Sequence, residues 1–224
     1  HPTKYSEEER LSPYFQEILI AEDIDNDTAI KVKANLDRLT GVYIEDGSKR
    51  YYPEKNIISH ILGYTGDVTA EDLEKKDYVD ITDTIGITGI EREYDEKLLG
   101  EHGQVAWEVN AIGKTVSDEP YTLKEPVAGE NLYLTIDINA QKELYSLLEK
   151  GVSDYKAIGG AGILEDVTNG EILALVSFPG YDNNPFVGGI SKSEYDALLN
   201  DPKNPLLNRA IGAQVPPGST FKTI

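Results

Sequence analysis

Ser219-Thr220-Phe221-Lys222 sets a hydroxyl three residues ahead of an amine. On a helix, residues three apart are neighbours on one face, so a helix beginning at Ser219 would bring the two side chains within reach. A serine hydroxyl is a weak nucleophile until a nearby base takes its proton. A lysine serves as that base when desolvation or neighbouring positive charge lowers its pKa. The lead-in Pro216-Pro217-Gly218 suits this use. Prolines cannot sit inside a helix but can deliver a chain to its start, and Gly218 permits an unusual backbone angle at the junction. Unpaired N–H donors and the positive dipole end of such a helix would lie where an oxyanion forms. An ordinary capped helix start would use the same serine, so the elements around it must decide. A second copy of the spacing, Ser153-Asp154-Tyr155-Lys156, lacks that lead-in and lies between Gly151 and Gly159-Gly160; it reads as a loop.

The elements that would position the pair lie upstream. Gly159-Gly160 opens a hairpin of Ala161–Val167 and Glu171–Ser177 with Asn169-Gly170 at the turn. Ile172 to Val176 are apolar on both faces, so helices should cover both sides of this sheet. One such helix follows Asp137 as cap, with Ala140, Leu144, Leu147 and Leu148 as its apolar stripe. Leu132–Ile136 reads as the strand before it. Beyond a Pro/Gly/Asn-rich loop from Pro179 to Gly189, a helix from Ser191 to Leu199 carries a capping box with Glu194. Asn204–Ala210 then brings the chain to the Ser219 junction.

Earlier segments form a different unit. Asp25-Asn26-Asp27 caps a helix that runs to Leu39 and ends at Gly41. Val42–Glu45 and Arg50–Tyr52 read as two strands joined at Asp46-Gly47. Ile57–Leu62 is a short helix closed by Gly63, and its His60 reads as a packed residue with no partner at metal spacing. Thr69 caps an acidic helix. A helix from Ile90 to Leu99, stopped by Gly100, shows Ile90, Tyr94, Lys97 and Leu98 on one stripe. Gln104–Val109 and Lys114–Val116 read as strands, with Trp107 a packing anchor. Pro and Gly cluster in Lys124–Gly129, which reads as a boundary.

Composition supports two units and excludes some functions. The 224 residues carry a formal charge of −19, of which −15 lies in residues 1–130 and −4 in residues 131–224. So acidic a chain repels phosphate backbones and anionic membrane surfaces, which argues against nucleic-acid binding and direct membrane adhesion. The absence of cysteine rules out disulfides and thiolate metal sites. No apolar run is long enough to span a membrane. The chain begins at His1 and contains no Met, so it reads as a fragment or a processed form, with any anchor lying outside it.

Several stretches together resemble the class B penicillin-binding proteins, which cross-link bacterial peptidoglycan. They are Gly89-Ile90-Glu91-Arg92-Glu93-Tyr94-Asp95 with Leu98-Leu99-Gly100, and Leu134-Thr135-Ile136-Asp137 with Gln141. Thr168 to Ser177 follow with Pro179, Tyr181-Asp182, Asn184 and Phe186. Pro205-Leu206, Asn208-Arg209-Ala210 and Pro216 to Lys222 complete the set. Arg50-Tyr51-Tyr52-Pro53, His60-Ile61-Leu62-Gly63-Tyr64 and Leu198 to Pro202 resemble the elongation-type branch. Gly180 and Asn183 depart from the pattern, standing where the family more often has Ser and Pro. The family's downstream Ser-x-Asn and Lys-Thr-Gly motifs do not occur in the sequence.

The resemblance implies an α+β pedestal over residues 1–125, incomplete at its start. Residues 126–224 would be the first part of an α/β transpeptidase domain of the serine β-lactamase-like kind. It also implies Ser219 as nucleophile and Lys222 as base, with no metal or organic cofactor. Substrates would be stem peptides ending in D-Ala-D-Ala, with β-lactams as mimics. Partners would be cell-elongation proteins and a glycosyltransferase, with membrane contact only through an anchor outside this chain. The site of action would be the extracytoplasmic face of the bacterial cytoplasmic membrane. A truncated cleft implies that the 224 residues alone are inactive. Two other readings remain: a non-catalytic interaction module of the elongation machinery, and a β-lactam sensor or β-lactamase-like protein sharing Ser-x-x-Lys.

Overall fold

The computed structural model describes residues 20–21, 24–39, 42, 44, 47–106, 108, 121–216 and 222. The chain forms two compact units, His1–Ser48 and Lys49–Ile224. In the first, helix α1 spans Asn26–Lys33, capped as expected by Asp25, whose carboxylate accepts the Thr28 N–H at 2.8 Å. The expected continuation to Leu39 does not form regular helix. The Asn35 side chain donates to the Lys31 carbonyl at 2.8 Å, and its own N–H turns to Val32 instead. A short amide that captures an i−4 carbonyl competes with the helical ladder, and here it wins. Gly41 and half of the predicted strand 42–45 lie outside the described residues.

The second unit opens with a correction. Arg50–Tyr52 forms no strand. Instead the buried Tyr52 offers its N–H to Asn184 Oδ1 and its carbonyl to Asn184 Nδ2, both at 2.9 Å, so a side-chain amide stands in for a strand partner. A 3-10 turn, Lys55–Ile57, leads into α2, Ser59–Leu62, closed by Gly63 as predicted. Gly63 has φ +78, and a Cβ there would lie 1.9 Å from the Thr88 carbonyl oxygen, so only glycine fits. Strand β1, Thr65–Asp67, pairs antiparallel with β2, Thr84–Gly86. Between them runs α3, Ala70–Lys75, with a Thr69/Asp72 capping box. Val68, Val79 and Ile85 form the core here, flanked by Tyr78, Ile87 and Leu99.

The helix expected over 90–99 is two: α4, Gly89–Glu93, and α5, Asp95–Leu99, broken at Tyr94. Its buried positions are not the apolar stripe but Glu91 and Asp95, four residues apart. Asp95 accepts from Gly86 N at 2.7 Å, Lys76 Nζ at 2.6 Å and the Tyr78 hydroxyl at 3.1 Å. Glu91 takes Arg50 Nε at 2.9 Å, a second guanidinium nitrogen at 3.0 Å and the Tyr52 hydroxyl at 3.1 Å. Buried carboxylates are tolerated when their oxygens are fully partnered, as these are.

Strand β3, Gln104–Ala106, pairs with β4, Tyr121–Lys124, a strand the sequence pattern did not announce. Lys114–Val116 and Trp107 lie outside the described residues. Leu132–Ile136 is not a strand; it meets the sheet through Thr135 Oγ1, which donates to Ile172 O at 2.7 Å, and Asp137 N, which donates to Leu173 O at 2.8 Å. Helix α6, Ile138–Asp154, starts at the Asp137 cap as predicted. Its inner face buries Gln141 and Tyr145 alongside Leu144 and Leu148, whereas Leu147, predicted to face inward, is 58% exposed. Ser153, read as part of a loop, belongs to the last turn of α6, and Lys156 follows at φ +51.

The predicted hairpin is β5, Gly160–Glu165, with β6, Ile172–Phe178, in register Ile163 to Leu175. Gly170, at φ +80, makes the turn. Helix α6 packs on one face, where a Cβ on Gly162 would lie 3.1 Å from Leu144. The loop after β6 is more ordered in purpose than its composition suggests. Tyr181, Asn183 and Phe186 are buried, Asn183 Nδ2 donates to Gly63 O at 2.8 Å, and Phe186 stacks on Tyr64 at 3.9 Å between ring centroids. Helix α7, Lys192–Leu199, carries the expected Ser191/Glu194 capping box. A last short helix, α8, Arg209–Gly212, follows Asn208 as its cap.

Candidate active site

The segment that leads to the Ser-x-x-Lys motif is pinned from three directions. Ser177 is a polar interruption of the apolar β6 and is 2% exposed. Its hydroxyl donates to Leu207 O at 3.0 Å and accepts from Arg209 N at 2.9 Å. The Arg209 guanidinium reaches back to donate to Asn204 O at 3.0 Å and Lys203 O at 2.5 Å, closing residues 203–209 into a compact turn. From α2, His60 Nε2 lies 2.8 Å from Pro205 O. A carbonyl only accepts, so Nε2 carries the proton. Burial holds the His60 pKa below its ordinary value, with the nearby Arg209 charge acting in the same direction. Asn208 Nδ2 donates to His60 O at 3.4 Å, and Asn208 Oδ1 caps α8 by accepting Ala210 N at 3.2 Å.

Beyond α8, Ala213–Pro216 runs with neither helix nor strand. Ser219 lies outside the described residues. Lys222 is placed, exposed and in a 3-10 conformation. The described residues thus comprise the turn that precedes the motif and one member of the predicted pair. Among the described residues no group of three or more His, Asp or Glu side chains is placed to hold a metal ion, and no helix is long and apolar enough to cross a membrane.

His60, Ser177 and Arg209 were not singled out by chemistry in the sequence. Ser177 had a signal, a hydroxyl at the end of an otherwise apolar strand. His60 was readable as packed, and it is. Its partner lies 145 positions away, a contact that no local pattern encodes.

Comparison with known proteins fits this geometry. Residues 4–134 match the penicillin-binding protein dimerisation domain and residues 160–224 the penicillin-binding protein transpeptidase domain, so the chain belongs to the penicillin-binding protein family. The expected order of an α+β module followed by transpeptidase-domain sequence therefore holds. Within the family, the chain is 35% identical to the peptidoglycan D,D-transpeptidase MrdA of Escherichia coli strain K12 over 97% of this chain and 34% of that protein. It is 37% identical to penicillin-binding protein 3 of Bacillus subtilis strain 168 over 87% of this chain and 27% of that protein. A solved structure of Helicobacter pylori PBP2 in complex with MreC superposes with a TM-score of 0.70 at 36% identity, covering 89% of this chain and 36% of the other. The chain spans about a third of the length of the curated MrdA relatives it matches.

Proposed function

We propose that this chain is part of a peptidoglycan D,D-transpeptidase of the elongation type. The observation that carries the reading is that the transpeptidase match includes Ser219 and Lys222, in a chain 35% identical to MrdA over nearly its whole length. In this reading Ser219 Oγ attacks the carbonyl between the two D-Ala residues of a stem peptide. Its proton passes to Lys222, the peptide C–N bond breaks, and D-Ala leaves with a proton on its amine. The acyl-enzyme is then opened by an amine of a neighbouring stem, which forms the cross-link and returns Ser219 to its hydroxyl form. The Ser219 N–H supplies one oxyanion donor. A β-lactam enters as a mimic and stops at the acyl stage. No metal or organic cofactor takes part.

Residues 1–125 would act as the pedestal and 126–224 as transpeptidase sequence; the two family matches, over 4–134 and 160–224, support that order. Localisation would be outside the cytoplasmic membrane. Elongation proteins are the natural partners, since a similar PBP2 was solved in complex with MreC; a glycosyltransferase would be another.

Labelling with a fluorescent penicillin tests the reading. The whole protein should label, Ser219→Ala should abolish the label, and Lys222→Ala should slow it by several orders of magnitude. Because Ser-x-Asn and Lys-Thr-Gly do not occur among these 224 residues, the 224-residue chain alone should not label. Persistent labelling of Ser219→Ala would overturn the reading. A second reading, an interaction module, is favoured by the dimerisation-domain match over more than half the chain. It predicts partner capture that survives Ser219→Ala unchanged.

A further inference from the structure

We propose that Asn169-Gly170, at the tip of the β5–β6 hairpin, is a modification site, where the protein ages by losing the Asn169 side-chain nitrogen as ammonia and gaining aspartate and isoaspartate. The reaction is independent of the transpeptidase reading. The Gly170 main-chain nitrogen attacks Asn169 Cγ, an N–C bond forms, and the Cγ–Nδ2 bond breaks. The Gly170 amide proton passes to solvent, and Nδ2 leaves as ammonia with a proton taken from water. Water then opens the five-membered imide. Opening at Cγ leaves aspartate, whereas opening at the main-chain carbonyl leaves isoaspartate, whose backbone runs through the former side chain. One water is consumed and one ammonia released, with no oxidant or reductant.

Sequence and turn geometry together select this position. Among the asparagines of the chain, only Asn169 is followed by glycine, which has no side chain to shield the attacking nitrogen. The turn is open to water, with residues 167–171 exposed. The carboxamide is also drawn forward along the chain. Its Oδ1 accepts the Glu171 N–H at 2.9 Å, which curls the side chain toward the intervening Gly170 peptide and polarises the carbonyl under attack. One bond opposes the reaction. The Gly170 N–H donates to Asp166 O at 2.8 Å, so the nitrogen becomes a nucleophile only when the turn opens. Asn183 and Asn184 offer the contrast. They precede Asn and Pro, and their amides donate to Gly63 O and Tyr52 O.

Conversion alters the hairpin. Asn169 Nδ2 donates to Glu171 Oε2 at 3.1 Å, so an aspartate in its place sets one carboxylate against another, with Asp166 in the same turn. Isoaspartate lengthens the main chain by one carbon. The bond from Asp166 N to Glu171 O, which closes the turn at 2.9 Å, then loses its register.

The test uses the whole protein, kept native at 37 °C at neutral and at mildly alkaline pH, with digested peptides sequenced by mass spectrometry. The amide-to-acid mass gain at Asn169 should accumulate at least about tenfold faster than at any other asparagine, quicken with pH, and run slower than in the urea-unfolded chain, where no Asp166 bond has to open. The converted fraction carries an added negative charge and separates by anion exchange. In it, hydrogen exchange at the Asp166 amide should quicken at least about tenfold, while the Leu175 amide, bonded to Gln141 Oε1, keeps its rate. A native protein whose Asn169 stays intact while the unfolded chain converts, or converts no faster than Asn183, overturns the proposal. Unchanged exchange at Asp166 in the converted fraction overturns the effect on the hairpin.

Discussion

Replacing Gln141 by leucine should cost about 2–5 kcal/mol, although the two side chains are similar in size and the site is interior. The Gln141 side chain is 0% exposed. Its Nε2 donates to Ile57 O and to Leu175 O, both at 2.8 Å, and its Oε1 accepts Leu175 N at 2.8 Å. The Leu175 backbone is thus paired by an amide on the β6 edge away from β5, as a third strand would pair it. Leucine leaves three backbone groups without partners, each costing ~1–3 kcal/mol when buried. Its extra apolar burial returns ~1.5–3 kcal/mol. Gln141→Glu is sharper, because a carboxylate would face two carbonyl oxygens in a dry site. Burial and those acceptors should raise its pKa, so the folded state binds a proton that the unfolded chain, with Glu near pKa 4.3, releases. Stability of that variant should therefore be greatest below about pH 4.3 and fall as pH rises toward its folded pKa. Urea unfolding followed by far-UV circular dichroism across pH 4 to 8 reads both effects against wild type at each pH. A loss under about 1 kcal/mol for Gln141→Leu, or a Gln141→Glu protein that gains stability relative to wild type with rising pH, would refute the reasoning.

Three further outcomes are expected. Arg50→Ala should cost about 3 kcal/mol, more than Glu91→Gln at about 1–2 kcal/mol, by urea unfolding; the Arg50 side chain is 41% exposed and can return to water, whereas Glu91 would be left charged and buried. Equal or reversed costs would contradict the burial argument. Gly180→Ser, toward the residue more frequent in the family, should lower stability by at least ~2 kcal/mol, because its Cβ would lie 2.0 Å from Asn56 O; Gly151→Ala, in the open interior of α6, should raise it by ~0.5–1 kcal/mol. Differential scanning fluorimetry of the pair checks both signs. His60 is held neutral, so the unfolded chain binds the extra proton: stability should be complete above about pH 6.5 and fall toward pH 5 with a slope of at most ~1.4 kcal/mol per pH unit, and His60→Gln should remove that slope.

What could be read from the sequence was whatever is encoded locally. The Asp25, Thr69, Asp137 and Ser191 caps, the Asn169-Gly170 turn and the stops at Gly63 and Gly100 each depend on neighbours within a few residues, and each is present. Errors arose where a polar side chain took the place of an expected backbone partner. Asn184 replaced a strand beside Tyr52, and Asn35 ended α1 early. Glu91 and Asp95 turned the polar side of a helix inward, because Arg50, Lys76 and Tyr78 were waiting there. Hydrophobic periodicity cannot foresee a buried carboxylate whose partner is 41 residues away. At the candidate site, spacing identified Ser219 and Lys222 as the pair to consider. The ties of His60 to Pro205 and of Ser177 to Leu207 needed coordinates, since they span 145 and 30 positions of the chain.

The side chain that occupies the far edge of β6 also has a bearing on solubility. An exposed strand edge is a template on which a second molecule can lay its own backbone and start a polymer. At Leu175 that template is already used, since the Gln141 carboxamide takes both the N–H and the carbonyl. A foreign strand would have to evict an amide rooted in a 17-residue helix before it could dock there. Gln141 thus acts as a gatekeeper against self-association at no expense in net charge.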